Sequence, residues 1–136
     1  MKDKTFDLAA FEAADTADLQ VLNPKNEPVL VEGKPVTITL YGPGSTFYAK
    51  AQARLNDALS TRSFAALRGK PLKETAEEQQ LLIAEKLAAC TKVISNFPID
   101  GGALALYTNP KLGYITNQVS QFIEDWANFT GGSATT

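Results

Sequence analysis

Within the twenty residues VTITLYGPGSTFYAKAQARL, positions 36–55, the hydrophobic pattern changes its period. Val36, Ile38 and Leu40 alternate with Thr37, Thr39 and Tyr41, as in a strand with one face buried. Past Gly42-Pro43-Gly44, the residues Phe47, Ala51, Leu55, Ala58 and Leu59 recur at helical spacing, with Lys50, Arg54 and Asp57 off that stripe. Ser45 stands where a hydroxyl can accept a hydrogen bond from an otherwise unpaired N–H of the first turn. The segment reads as a strand that breaks at a glycine turn and continues as a helix. It predicts a helix from Thr46 to about Arg62.

Upstream, DLQVLN (18–23) and VLVE (29–32) read as short strands around the turn cluster PKNEP, and Glu32-Gly33-Lys34-Pro35 reads as a tight hairpin connection. Pro24, Pro28 and Pro35 fall at strand ends or in turns, where a missing N–H costs no ladder bond. Downstream, Thr75-Ala76-Glu77-Glu78 has the form of a capping box. The residues Leu81, Ala84, Leu87, Ala88, Thr91 and Ile94 then carry a second long helix to about Ser95. Pro98 and Gly101-Gly102 end it. Asn109-Pro110 starts a last helix on which Leu112, Ile115, Val119, Phe122, Ile123, Trp126 and Phe129 form one broad stripe. The expectation is an α+β fold, mostly helical: a small N-terminal antiparallel β-meander followed by three main helices. Residues 1–17 form an arm or short helix, 18–130 a single domain, and GGSATT at 131–136 a flexible tail.

At 136 residues and 44% hydrophobic content, the chain is long enough to bury a core without covalent staples. One cysteine, Cys90, excludes an internal disulfide and suits a reducing compartment, and MKDKTFDLAAF lacks the apolar run of a signal peptide. These features predict a cytoplasmic protein, and no stretch reaches the roughly 18–20 apolar residues of a membrane helix. Net charge is −2 but unevenly spread, with six cations against one anion in residues 45–73 and acidic excess on both sides. A basic middle between acidic flanks can guide self-association or attract an acidic partner. No aromatic residues alternate with the basic ones, so a nucleic-acid partner is not expected.

The chain has no histidine, which removes the commonest general base, nucleophile activator and metal ligand together. Cys90 lies beside Ala88 and Ala89 with nothing to activate it and reads as a small buried hydrophobe. Glu77-Glu78 and Glu124-Asp125 are neighbours that diverge by about 100° on a helix, so neither pair converges on a metal or substrate. Gly42-Pro43-Gly44-Ser45 resembles an anion-binding strand-to-helix junction. It fails on detail: proline removes a needed donor, no third glycine completes Gly-x-Gly-x-x-Gly, and no Gly-Lys-Ser/Thr follows. Gly69-Lys70 is followed by Pro71 where a hydroxyl is required. No cofactor, metal or catalytic residue is expected.

In order and spacing, LQVLNP, EP, GKPVTITLYGPGSTFYAKAQAR and the distal ITNQVSQFIEDWANF resemble the tail assembly chaperones of long-tailed, siphovirus-type bacteriophages and prophages. The similarity covers most of residues 5–130 and departs at FPIDGGALALY (97–107), where that family often has more polar loop residues. The resemblance implies a non-enzymatic, self-associating protein that coats the tape measure protein, keeps it soluble and helps recruit tail tube subunits. Such a protein works in the host cytoplasm and is absent from the mature virion. A longer, frameshifted form is common in the family. The alternative is a structural virion component, such as a neck or tail-completion protein. For client binding or self-association the candidate residues are Val119, Phe122, Ile123, Trp126 and Phe129, and secondarily Lys50, Arg54 and Arg62; the alternative for the aromatic stripe is that it closes the domain core, and both hold if protomers share that core. Linked protomers would multiply weak contacts along hydrophobic grooves.

Overall fold

Among the described residues four strands come first: Thr16–Gln20 (β1), Leu30–Val31 (β2), Lys34–Pro35 (β3) and Thr37–Tyr41 (β4). Two long helices, Thr46–Leu67 (α1) and Thr75–Ala89 (α2), lead to Thr91–Ser95 (β5). Helix Gly102–Thr108 (α3), a 3-10 turn at Pro110–Leu112, helix Gly113–Glu124 (α4) and a second 3-10 turn at Trp126–Asn128 are the last elements among the described residues. This computed structural model describes residues 11–69 and 75–130. The fold is of the α+β class.

The alternating segment becomes the middle strand of a three-stranded antiparallel sheet in the order β1-β4-β5. Val36, Ile38 and Leu40 are fully buried while Thr37, Thr39 and Tyr41 are half-buried on the other face, as period two requires. β2 and β3 form a small ribbon closed by Glu32 and Gly33, whose φ angles of 52° and 79° are those of a type I′ hairpin turn. The helices cover the buried face of the sheet. Ala84 and Leu87 of α2, Leu106 and Tyr107 of α3, and Ile115, Val119 and Ile123 of α4 meet Val21, Val36, Ile38 and Leu40 in one core.

Several boundaries differ from the sequence-based expectation. β1 starts at Thr16, inside the segment expected to be an arm. α1 runs on to Leu67 rather than stopping near Arg62. The second long helix stops at Ala89, and 91–95 is a strand. Thr91, Val93 and Ile94 are β-branched, and pairing with β4 (Ile38 opposite Ile94, Thr39 opposite Val93) decides the contest for extended backbone. The carbonyl of Cys90 already accepts from the Tyr41 N–H at 2.7 Å, so helix passes into ladder without a loop. Between Val93 and Thr91 the register shifts, leaving Lys92 as the extra, exposed residue on an edge strand.

The segment 97–107 runs into a short helix beyond the three expected, α3, which is entered through Gly101 and Gly102 at φ 89° and 72° and ends at Thr108. The expected single last helix is divided. Asn109 accepts from the Lys111 N–H at 3.0 Å and starts only the 3-10 turn, and the α-helix proper begins at Gly113. Asp125 is extended, and its carboxylate caps a new turn by accepting from the Ala127 N–H at 2.9 Å. Trp126 and Phe129 therefore lie beyond the helix whose stripe they were expected to extend. Glu74, the side chain of Thr75, Lys70-Pro71, the first ten residues and the tail at 131–136 lie outside what the structure describes.

Candidate interaction surfaces

The strand-to-helix turn is shaped by packing. Ser45 is 3% exposed; its hydroxyl donates to the Gly42 carbonyl at 2.8 Å and accepts from the Tyr48 N–H at 3.1 Å. That cap satisfies one of the donors an anion would have used. A Cβ on Gly42 would overlap the ring of Phe129, and one on Gly44 would stand 3.3 Å from the indole of Trp126. Both glycines make room for aromatic rings from the segment that follows α4.

The expected aromatic stripe resolves into two populations. Val119, Ile123 and Phe129 are core residues, 0–1% exposed, and present no surface to a partner. Phe122 is half-buried, set edge-to-face against Phe129 with ring centroids 5.5 Å apart. Trp126 alone of the five is open, at 54% exposure. Phe47, assigned by periodicity to the buried stripe of α1, is 52% exposed and stacks on Tyr41 at 4.1 Å. An aromatic surface thus borders the Gly42–Ser45 turn, with Phe47 on the helix after it and Trp126 against Gly44.

A second surface is the α1–α2 helix pair. α1 packs chiefly on α2, and Ala51 is its one buried apolar residue among those described. Between the helices runs a cleft of about 180 Å³ lined by Ala51, Leu55, Ala58 and Leu82, with Arg54, Glu85 and Lys86 at its edges. Leu67, Leu81 and Ile83 are exposed farther along the pair. Lys50 and Arg54 lie on the exposed side of α1, as expected; the side chain of Arg62 is outside the described set.

Three polar side chains from three helices fasten this pair to the core. The Lys86 ammonium lies 3.1 Å from Glu124, 3.4 Å from the Tyr48 hydroxyl and 4.7 Å from the centre of the Tyr48 ring. The Tyr48 hydroxyl is 3.0 Å from both Glu124 oxygens. Burial raises the Tyr48 pKa, and its hydrogen bond to Glu124 adds to that. Burial lowers that of Lys86, but Glu124 and Tyr48 outweigh it, so the net direction is upward. The 38 and 76 positions separating these residues put the cluster beyond any local pattern.

Beneath it, burial pushes the Cys90 thiol up to about 11, Lys86 opposing and Glu124 reinforcing the change. A thiol held neutral is a poor nucleophile. No group of three Cys, Asp or Glu side chains able to share a metal ion occurs among the described residues, and no helix there is long and apolar enough to cross a membrane.

Compared with protein-family models, curated proteins and solved structures, the chain matches none.

Proposed function

We propose that this chain is a non-enzymatic assembly chaperone of phage tails, which binds and solubilises the tape measure protein and helps recruit tail tube subunits in the host cytoplasm. The family resemblance of the sequence motivates the reading. The observation that carries it is the exposure of Trp126 and Phe47, 54% and 52%, beside a turn whose glycines make room for the rings of Trp126 and Phe129. Large aromatic side chains left in water beside a hydrogen-bonded turn suit adhesion to amphipathic segments of a long client. In this reading the protein self-associates, by itself or with a frameshifted longer form, and leaves the finished particle.

The test is co-expression with the tape measure protein of the same genome. The wild-type chain is expected to keep the client soluble in a complex that survives sizing, and Trp126→Ser with Phe47→Ser to lose it while melting within a few degrees of wild type. Unchanged client solubility with the double variant would remove the proposed site. Mass spectrometry of purified particles discriminates the second reading, since a neck or tail-completion protein would be found there at fixed copy number.

A further inference from the structure

We infer that the α1–α2 cleft is a self-complementary interface, over which a second copy of this chain packs about a two-fold axis so that Arg54 of each copy meets Glu85 of the other. The inference rests on reading the chain as an associating protein and names the surface through which copies meet.

Three observations commit the surface to this occupant. The floor of the cleft is apolar but incompletely covered: Leu55, Ala58 and Leu82 remain half-exposed. Its two rims carry opposite charge. Arg54 stands on α1 and Glu85 on α2, and both are exposed. Arg54 and Glu85 border the same cleft, yet neither makes an ion pair among the described residues, while Lys86 is held by Glu124. A basic or an acidic helix laid in the cleft would satisfy one rim and be repelled by the other.

A second helix pair turned by 180° about an axis that lies in the plane of the contact and runs along the cleft satisfies both at once. The rotation sets α1 over the partner's α2, cation against anion at two symmetry-related places, as an isologous contact requires. Four helices then enclose the two apolar floors, the arrangement by which helix pairs commonly bury a shared stripe. The small side chains of Ala51 and Ala58 permit close approach.

Charge reversal distinguishes this arrangement from others. The Arg54→Glu chain carries two anionic rims and the Glu85→Arg chain two cationic ones, so each is expected to self-associate at least about tenfold more weakly than wild type in sedimentation at low salt. Mixed in equal amounts, they are expected to form a 1:1 heterodimer, because both rim pairs are then complementary. Both positions are exposed, and unchanged melting temperatures verify the fold. A wild-type chain that stays monomeric to about 100 μM, single variants that associate like wild type, or a mixture that fails to pair would each overturn the inference. The measurement uses the chain without client. Correct pairing alongside loss of the tape measure complex in its own assay would leave this interface standing and the chaperone reading fallen.

Discussion

Phe129 fills the space that a side chain at Gly42 would occupy: a Cβ there would lie 2.6 Å from Cγ of the ring. The Ala14 N–H donates to the Phe129 carbonyl at 2.6 Å, and the Gly42 N–H donates to the Asp15 carbonyl at 2.8 Å. The strand-to-helix turn, the approach to β1 and the Trp126–Phe129 segment are therefore one packed unit. Gly42→Ala is expected to destabilise by about 1–3 kcal/mol through overpacking. Phe129→Ala should cost about 3–5 kcal/mol through loss of a buried ring. In the double variant the alanine at 42 no longer meets a ring, so the combined loss falls short of the sum. Urea denaturation of the four proteins checks this, and strict additivity would contradict the packing.

Gln118 of α4 acts as a piece of strand. Its carboxamide oxygen accepts from the Leu22 N–H at 2.9 Å and its nitrogen donates to the Leu22 carbonyl at 2.6 Å, two residues beyond the end of β1. Gln118→Leu keeps the bulk and leaves both backbone groups, half-buried, without that partner. A loss of about 1–3 kcal/mol is expected. Gln118→Glu retains the acceptor for the N–H but sets a carboxylate against the carbonyl. Its destabilisation at pH 7 should shrink as the pH falls toward about 4–5 and the new acid protonates. Equal loss at both pH values would mean that Leu22 does not sense the charge.

The contrast between Gln118 and the meander indicates which parts of the fold are legible in a sequence. The type I′ turn at Glu32-Gly33, the alternation of β4 and the Ser45 cap follow from residues at most a few positions apart, and the structure places each where local chemistry requires. β5 is not legible locally, because Thr91 and Ile94 satisfy a helical count as well as an extended one, and the choice between them is made by β4, about fifty residues away. The break at Asp125 rests on one carboxylate that caps the next turn instead of continuing the helix. The candidate site divides for the same reason. Spacing identified the apolar members of the terminal segment, but whether a ring enters the core or stays in water depends on Gly42 and Gly44.

The Tyr48–Lys86–Glu124 cluster should respond asymmetrically to its two charged members. The Lys86 side chain is 10% exposed and that of Glu124 is 54% exposed. Removing the carboxylate by Glu124→Ala strands a mostly buried ammonium beside a neutral phenol, whereas Lys86→Met removes the buried charge itself and leaves Glu124 to water. The first is expected to cost about 1–2 kcal/mol and the second less than about 1 kcal/mol, a modest scale because Glu124 is screened by solvent. Melting curves of the two variants compare them, and a larger loss for Lys86→Met would show that its stem packing outweighs its charge.

Alkali should unfold the protein through groups that the fold keeps protonated. Burial raises Cys90 from 9.0 to about 11. Burial also raises Tyr107 from 10.0 to about 12, although the hydrogen bond of its hydroxyl with Thr91, at 2.7 Å, opposes the change. Both are raised in the folded state, so below the unfolded values the native and unfolded chains bind the same protons and the stability is fully present. Above those values the unfolded chain releases protons that the native one keeps, and stability falls until the folded groups titrate. Cys90 acts between about 9 and 11, and Tyr107 between about 10 and 12, each contributing at most about 2–3 kcal/mol. Melting temperature under reducing conditions is expected to hold level to about pH 8.5 and then to decline. Cys90→Ala should delay the onset of that decline by roughly one pH unit while leaving the Tyr107 portion in place, and an onset unmoved by the substitution would show that the thiol ionises as readily in the native protein as in the unfolded chain.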